Sequence, residues 1–292
     1  MSSTPYTSVL PTVPSADTCS NHTVIRPHHG LAALDPAELW RRRELAWVLA
    51  LRDLRVRYKQ TFLGVAWAVI QPLATMVVLH IFFGKVMGMA DKVGGVPYPV
   101  FLYAGLLPWT LFANAVTASS NSLVGNAHIL SKVYFPRLLL PLSATLVPAI
   151  DYAIAFVVLA GLMIWFQVPV TLGLVLVPLL VLSTVIAVLG VGILLASLTV
   201  CYRDFRYVVP FMLQLWLFMT PVIYDLSFVP DRYQWLMQLN PMAGTIDAFR
   251  AVVLDQPVNY AAWLVSTTVA TATLLVGLTF FAKLERRFAD VV

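Results

Sequence analysis

Four cationic side chains stand immediately before the first long apolar segment of the chain. Arg52, Arg55, Arg57 and Lys59 lie within eight residues, and the sequence then turns apolar at FLGVAWAVI, residues 62–70. Clustered cations attract anionic lipid head groups, each by about 1 kcal/mol near a membrane surface. The cluster therefore indicates either a lipid-binding surface or a positively charged stop that orients the first membrane span.

One carboxylate, Asp151, lies deep in an apolar segment, within PAIDYAIAF. An aspartate at the centre of a bilayer costs roughly 2.5 to 3.5 kcal/mol, so its side chain should face another helix or a water path. The setting favours a structural hydrogen bond, which a neutral carboxyl can also make, over proton coupling. His80 is likewise interpreted as structural.

The sequence lacks the motifs of several common catalytic sites. It contains no Gly-x-x-x-x-Gly-Lys-Ser/Thr phosphate loop, no His-Glu-x-x-His and no Gly-x-Ser-x-Gly. The two cysteines, Cys19 and Cys201, are too far apart to suggest a metal site or a disulfide framework. We therefore expect neither an enzyme nor a metal site in this chain.

The composition is that of a membrane protein. Hydrophobic residues make up 60% of the 292 residues and charged residues 11%, with a mean hydropathy of +0.82. Soluble domains carry about 25% charged residues. Although the net charge is +5, this composition points to membrane lipids as partners and not to nucleic acid.

Six segments reach the roughly 20 apolar residues that a helix needs to cross a bilayer. They are residues 64–84, 99–123, 138–166, 172–200, 208–224 and 260–282. The sequence shows no period-two alternation typical of a membrane barrel. The predicted fold is an all-α integral membrane protein with six transmembrane helices, formed by residues 61–292.

The distribution of cations predicts the orientation of these spans. Fifteen of the 19 Lys and Arg residues fall on the side that holds both termini. Cytoplasmic loops are enriched in Lys and Arg, so both termini are predicted to be cytoplasmic. Residues 1–34 are Ser-, Thr- and Pro-rich without a signal-peptide pattern, and we expect a disordered cytoplasmic tail.

Residues 35–60 are predicted to form an amphipathic helix at the membrane interface. Asp35 is a good N-cap, Pro36 suits the first helical position, and Glu38 stands three residues after the cap. One helical face collects five large side chains, which lie at spacings of three, four and seven. They are Trp40, Trp47, Leu51, Leu54 and Tyr58. Such a helix lies in the interface plane.

Two loops are too apolar for simple connections. The loop after the second span includes residues 126–135, which offer an apolar face between cations and predict either a cytoplasmic docking element or a re-entrant connector. The loop after the fifth span has two short helical patterns, about 230–239 and 243–254, broken at Asn240-Pro241. We expect this second loop to fold back into the outer leaflet or to cover an exit.

Aromatic residues crowd the first and fifth spans. Aromatic faces suit the apolar C–H faces of sugar rings, so they could line a path for a polysaccharide. The alternative is that they face lipid, and the sequence does not decide between the two. The residues concerned are Trp67, Phe82, Phe83, Phe211, Trp216, Phe218 and Tyr224.

Several stretches together resemble the membrane subunits of ABC type-2 polysaccharide exporters, the group that includes permeases for lipid-linked O-antigen and teichoic acid. The stretches are LRDLRVRYKQTFLGVAWAVIQP, FLYAGLLPWTLF, SKVYFPRLLLPLS, CYRDFRYVVPFMLQLWLFMTPVIY and LNPMAGTIDAFR. The resemblance begins at about residue 36 and reaches the end of the chain. It implies a homodimer in the cytoplasmic (inner) membrane with two copies of a separate ATPase subunit, which would bind ATP and Mg while this chain holds no cofactor.

The resemblance also implies a cargo and roles for particular residues. The cargo would be a polyprenyl-diphosphate-linked polysaccharide such as O-antigen. The substrate-access residues would be Arg52, Arg55, Arg57, Tyr58 and Lys59. The ATPase-coupling residues would be Asn126, His128, Ile129, Lys132, Tyr134 and Phe135. The channel and lateral gate would use the seven aromatics of spans one and five, and the outer gate would use Tyr233, Trp235, Phe249 and Arg250.

Other functions remain possible on the sequence. An ABC type-2 exporter of a drug or small lipid would share the fold, although slimmer outer loops and fewer channel aromatics would suit it better. A membrane enzyme of lipid-linked sugar metabolism would need paired acids or a His/Asp cluster near a span end, which Arg203 and Asp204 alone do not provide. A membrane scaffold would show no dependence on any ATPase.

Overall fold

The computed structural model describes residues 36–59, 64–93, 95–130, 132 and 135–284. Within these ranges every regular element is helical, which confirms the predicted all-α class. The α-helices are α1 (Pro36–Arg41), α2 (Arg43–Lys59), α3 (Ala66–Leu79), α4 (Tyr98–Gly125), α5 (Ala127–Leu130), α6 (Leu139–Ala144), α7 (Leu146–Trp165), α8 (Val177–Cys201), α9 (Phe205–Met219), α10 (Asp231–Gln238), α11 (Ala243–Val253) and α12 (Tyr260–Leu284).

Five helical segments among the described residues are long and apolar enough to cross a membrane. They are Ala66–Val86, Tyr98–Gly125, Leu139–Trp165, Leu172–Cys201 and Tyr260–Leu284. Their ends agree within two residues with the spans predicted from the sequence. The first of them combines α3 with a π-helical turn, His80–Val86, and the third combines α6 and α7. Pro148 explains the interruption between α6 and α7, since a proline ring displaces the carbonyl four residues earlier, that of Ala144.

The predicted span at 208–224 differs from the helix that forms there. Helix α9 has 15 residues and ends at Met219, so it is about 22 Å long, shorter than a hydrocarbon core of about 30 Å. Thr220 precedes Pro221 and is extended, with φ −104° and ψ 141°, as the residue before a proline prefers to be. The last five residues of the predicted span are therefore non-helical, and the count of six spans stays a prediction.

Helix α4 is the centre of the bundle and packs against α3, α6, α7, α8, α9 and α11. Residues 100–104 are each 0% exposed. A helix that is apolar on every side is either surrounded by other elements or exposed to lipid, and burial of this kind shows that protein surrounds α4. Helix α4 therefore has neighbours on all sides, whereas α3 and α9 each leave a broad apolar face exposed.

Glycines allow α8 and α12 to approach closely. A Cβ on Gly190 would lie 2.7 Å from the backbone nitrogen of Leu274, and one on Gly277 would lie 2.8 Å from the carbonyl oxygen of Gly190. Small residues at such crossings let helix backbones pack directly in membrane proteins. This pair of helices forms one wall of the bundle.

The two ends of α4 carry different structures. At the Tyr98 end, the Tyr98 hydroxyl donates to the carbonyl of Ile223, and the side chain of Arg250 from α11 lies on the ring of Phe101. At the Gly125 end, Arg52 of α2 donates to the side chain of Asn126. Helix α2 and the helices α10 and α11 thus belong to opposite ends of the bundle.

The N-terminal helical region differs from the predicted single amphipathic helix. It is interrupted at Arg42, which separates α1 from α2. In α2 the apolar and charged residues occupy different halves of the helix and not different faces. Residues 45–51 are all apolar, and most of residues 52–59 are charged. Leu49 and Ala50 are buried against the bundle, while Trp47 is 57% exposed. The apolar half of α2 therefore anchors the helix and the charged half extends from it.

Candidate functional site

The C-terminal turn of α2 is attached to the bundle through the carboxylate of Asp151. Arg57 Nη2 lies 2.5 Å from Asp151 Oδ2, and the Tyr58 hydroxyl donates to Asp151 Oδ1. The side chain of Asp151 is 10% exposed and that of Arg57 is 42% exposed. The prediction that Asp151 faces another helix is confirmed. The predicted structural hydrogen bond of Asp151 is present, donated by Tyr58, and Arg57 adds an ion pair to the same carboxylate.

Tyr58 is a permanent hydrogen-bond donor in this cluster. Burial raises the pKa of its hydroxyl to about 12, and the hydrogen bond and negative charge of Asp151 act in the same direction. The hydroxyl therefore keeps its proton throughout the physiological pH range. Asp151 accordingly receives a hydrogen bond from one residue of α2 and a positive charge from the residue before it.

The cleft beside the cluster is level with the middle third of α4, where Thr110, Leu111 and Asn114 line it. Asp151 shares a cleft with Asn114 of α4. Asn114 follows Tyr98 by 16 residues, which places it about 24 Å along the helix.

The cleft beside Asp151, which Arg57 also lines, is small and partly polar. Its volume is about 20 Å³, enough for one water molecule. The Tyr152 hydroxyl is buried and has no hydrogen-bond partner among the described residues. The polar side chains that line the cleft include Gln71, Thr110, Asn114 and Tyr152. The sequence analysis missed these four residues, although Thr110 and Asn114 stand one turn apart on a mostly apolar helix, a detectable signal.

The remaining predicted substrate-access residues divide into two kinds. Arg52 Nη2 lies 2.7 Å from Asp53 Oδ1 and 2.7 Å from Asn126 Oδ1, so this arginine ties α2 to the end of α4. Arg55 and Lys59 have exposed side chains. Arg52 and Arg57 thus hold the helix in place, while Arg55 and Lys59 give α2 an accessible positive surface.

The predicted coupling segment contains a single helical turn. Helix α5 covers Ala127–Leu130, with His128 and Lys132 exposed and Ile129 half-buried. Phe135 is only 4% exposed and packs beside the start of α6. Phe135 therefore anchors the segment to the bundle. Its side chain is not exposed, as the side chain of a docking residue would be.

Tyr134 and Asn126 also belong to the predicted coupling segment. Tyr134 lies outside the described residues. Asn126 uses both ends of its side-chain amide, since Nδ2 donates to the Ser122 carbonyl and Oδ1 accepts from Arg52. The predicted substrate-access helix and the predicted coupling segment are therefore joined by a direct hydrogen bond.

The predicted aromatics on α9 point to two different sides of the helix. Phe211 and Phe218 are 60% and 51% exposed. Trp216 instead packs edge-on against Phe112 and Trp109 of α4, with ring centroids 5.3 and 6.5 Å away. Phe211 and Phe218 are therefore available to line a path, whereas Trp216 packs α9 against the core.

The other predicted aromatics are distributed along α3, the π-helical turn that follows it and the segment after α9. Trp67 and Phe82 are exposed, at 51% and 60%, and Phe83 is half-buried against the core. Tyr224 is half-buried, and its hydroxyl donates to the Phe218 carbonyl over 3.3 Å. The exposed aromatics thus belong to the first span, Ala66–Val86, and to α9, both of which leave apolar side chains exposed in the single chain.

The predicted outer-gate residues also separate into exposed and buried pairs. Tyr233 and Trp235 of α10 are exposed. Phe249 and Arg250 of α11 are each 1% exposed and belong to the core. The structure therefore differs from the prediction for the second pair, because α11 is buried on nearly every side, with ten of its eleven residues buried.

Arg250 binds the non-helical segment that follows α9. Its Nη2 donates to the carbonyls of Pro221 and Val222 at 2.8 and 3.0 Å, and its guanidinium carbon lies 3.8 Å from the centre of the Phe101 ring. Burial lowers the pKa of Arg250 to about 10, while the charges of Asp247 and Asp225 oppose that shift. The guanidinium thus stays protonated at neutral pH and supplies donors to two carbonyls of the non-helical segment.

Among the described residues, no group of three or more His, Cys, Asp or Glu side chains is placed to hold a metal ion. The long apolar helices define the chain as a multi-pass α-helical membrane protein. The sequence profile of the family described as ABC-2 type transporter matches residues 44–254, and the chain belongs to that family.

Three relatives illustrate the similarity within the family. The chain is 31% identical over 250 residues to the O-antigen export system permease protein RfbA of Klebsiella pneumoniae, an alignment that covers 85% of this chain and 95% of the relative. It is 30% identical over 260 residues to RfbA of Myxococcus xanthus, which covers 87% and 98%. It is 25% identical over 248 residues to the polysialic acid transport protein KpsM of Escherichia coli, which covers 81% and 92%.

Proposed function

We propose that this chain is the permease subunit of an ATP-driven exporter that moves a lipid-linked polysaccharide, such as O-antigen, across the cytoplasmic membrane. The observation that carries the proposal is the 31% identity with an O-antigen export permease over 95% of its length. The chain works as a homodimer with two copies of a separate ATPase subunit, which binds ATP and Mg. An exporter of a drug or small lipid is not favoured, because the relatives are named for O-antigen export and polysialic acid transport.

The positions of charge support an orientation for this function. The Gly125 end of the bundle carries the cations of α2 together with Lys132, and the positive-inside rule assigns such an end to the cytoplasm. The anionic diphosphate of the cargo first meets Arg55 and Lys59, which are exposed there. The coupling turn α5 lies at the same end and is available to the ATPase.

The bare faces of α3 and α9 support a dimer with a channel between its copies. Both helices expose large apolar and aromatic side chains, including Trp67, Phe82, Phe211 and Phe218. A second copy and the cargo would cover these faces, with the aromatic rings offered to sugars. Helices α10 and α11 at the Tyr98 end would then close the exit of the channel.

The test of this function is purification of the chain from its native membrane in mild detergent, followed by mass spectrometry and an ATPase assay. We expect a stoichiometric partner with a phosphate-loop motif, and ATPase activity in the preparation. A known ABC exporter purified in parallel is the control for partner loss. Recovery of the chain alone, while the control keeps its partner, would contradict the proposal.

The α9 aromatics allow a prediction about the transport path. We expect the double substitution F211A and F218A to lower polysaccharide export at least about fivefold, since it removes two exposed rings. The melting temperature of the purified protein should be unchanged. The substitution W216A should instead lower the melting temperature, because Trp216 packs in the core. Export is measured as surface polysaccharide per permease molecule, and normal export by the double variant would contradict the role of these rings.

A further inference from the structure

An apolar groove lies between α2 and α7. Its volume is about 460 Å³, and all eleven residues that line it are hydrophobic. Three of them are the alanines Ala50, Ala149 and Ala153, whose small side chains leave the space open. Trp47 and Leu54 of α2 line the same groove. A groove lined in this way suits a hydrocarbon chain and not a polar ligand.

The groove is open to the hydrocarbon of the membrane. Helix α7 belongs to the segment Leu139–Trp165, which is long and apolar enough to cross a membrane. Two lining residues, Ile150 and Val157, are 37% and 70% exposed. On α7 the lining extends from Leu146 to Val157, about 16 Å along the helix axis. Half of a hydrocarbon core of about 30 Å, the depth of one leaflet, is nearly the same length. The groove thus matches one acyl chain both in polarity and in length.

One end of the groove lies beside the first turn of α2. Leu49 of α2 belongs to the same buried cluster as Leu139 of α6, whereas Arg57, further along α2, pairs with Asp151 of α7. Helix α2 therefore runs in the same direction as α6 and α7, and its first turn lies at the α6 end. The same cluster includes Leu123 of α4, so this is the end of the bundle assigned above to the cytoplasm.

Arg43 offers a positive charge at that end. It stands four residues before Trp47, so the two side chains share one face of α2, about 6 Å apart along the axis. The Arg43 side chain is exposed, and its guanidinium carbon lies 4.9 Å from the centre of the exposed Trp40 ring. Glu44 lies about 100° further around the helix. Tryptophan and arginine are enriched at the level of lipid head groups, so an anionic head group on Arg43 would place its chain at the start of the groove.

We propose that the groove binds one acyl chain of an anionic phospholipid, whose phosphate is held by Arg43. This lipid is a component of the cytoplasmic leaflet and is distinct from the cargo of the proposed function. The dimer proposed above uses the faces of α3 and α9, which leaves the groove to lipid. A chain packed between α2 and α7 buries apolar surface on both helices and so holds α2 in place. Because Arg52 of α2 donates to Asn126, the lipid fixes the helix that contacts the start of the coupling segment.

Photolabelling of the permease with its copurified partners, in phosphatidylcholine nanodiscs, tests this site. The probe is phosphatidylglycerol with a diazirine near the end of one acyl chain, present in trace amount. The reference is the face of α12 around Leu264 and Leu275, which is exposed and lies outside the groove. We expect the groove peptides of α2 and α7 to carry at least about fivefold more label than this face, since one cation near the surface enriches an anionic lipid by about that factor. Unlabelled phosphatidylglycerol in excess should remove the label, and added phosphatidylcholine should not.

Variants test the acyl chain and the head group separately. A153F places a ring inside the groove and should lower its labelling at least about fivefold, because the ring fills the space of the chain. A160F is the matched control, since Ala160 is an exposed alanine on the same face of α7, two turns later and outside the groove. Its labelling should equal that of the wild type. R43Q alters an exposed residue and should lower the preference for phosphatidylglycerol over phosphatidylcholine about fivefold.

Four results would overturn the site. The first is equal labelling of the groove and of the α12 face, and the second is equal labelling of A153F and A160F. The third is an unchanged lipid preference in R43Q, which would remove the head group from Arg43. The fourth is displacement of the label by farnesyl diphosphate and not by phosphatidylglycerol, which would assign the groove to a prenyl chain.

Discussion

Replacing Arg250 by methionine will destabilise the protein more than any exposed substitution in the same loop. Methionine has a similar length but leaves the carbonyls of Pro221 and Val222 without their donor. Breaking a buried, hydrogen-bonded charge site costs about 3–5 kcal/mol. For a chain of this size we expect the melting temperature to fall by about 10 °C, measured by the loss of the monodisperse peak on size-exclusion chromatography after heating.

Two further variants separate the causes of this loss. R250K keeps the charge but lacks the planar fork that reaches two carbonyls at once, so it should recover only part of the stability. R232M removes an exposed arginine of α10 whose guanidinium stacks on Tyr233, and its melting temperature should stay near that of the wild type. Equal melting temperatures for R250M and R232M would contradict the role of Arg250 as the anchor of the segment after α9.

The spans could be predicted from the sequence because length and hydropathy determine them. All five long helices were located within two residues, since a bilayer imposes about 20 apolar residues on each crossing. The predicted end of α9, at residue 224, lies five residues beyond the end in the structure, although Pro221 indicates the earlier end. The residue before a proline avoids the helical region, so a helix that runs up to Pro221 should end at about Met219.

The exposed and buried sides of α9 were also within reach of the sequence. Phe211, Leu215 and Phe218 repeat at spacings of four and three and share one face, which is exposed. Trp216 lies on the opposite side, in register with Val209 and Leu213, which are buried. Helical periodicity therefore separates the candidate path residues from the anchoring one, although the choice of which face is buried needs the structure.

The partners of the charged residues could not be predicted in this way. Arg57 and Asp151 are 94 residues apart, and nothing local distinguishes Arg57 from Arg55 or Lys59 as the one that reaches the carboxylate. Arg250 is similar, since its acceptors are carbonyls in a segment whose conformation depends on where α9 ends. Tertiary packing decides both contacts. The sequence therefore located the cationic turn of α2 but not which of its cations form structural contacts.

Gly244→Ala will displace α11 from α12 and is expected to be among the most damaging small substitutions in the chain. A Cβ at this position would lie 2.5 Å from the carbonyl carbon of Ala262 and 2.9 Å from Ser266 Oγ. Over-packing costs typically about 1–3 kcal/mol and more where the obstacle is backbone, which cannot rotate away. The substitution also strains the hydrogen bond from the Gly244 amide to Ser266 Oγ, now 2.9 Å.

The same displacement should carry Arg250 away from its acceptors, because Arg250 is on α11 about 1.7 turns after Gly244. We therefore expect G244A to lower the melting temperature at least as much as R250K does, and the double variant to lose less than the sum of the two single losses.

G161A is the matched control, since a Cβ on Gly161 of α7 meets nothing within 4 Å. An alanine there should leave the melting temperature unchanged or raise it. Equal melting temperatures for G244A and G161A would contradict the role of α11 as a rigid link between the α12 contact and the segment after α9. So would a double variant of G244A and R250K whose loss of melting temperature equals the sum of the two single losses.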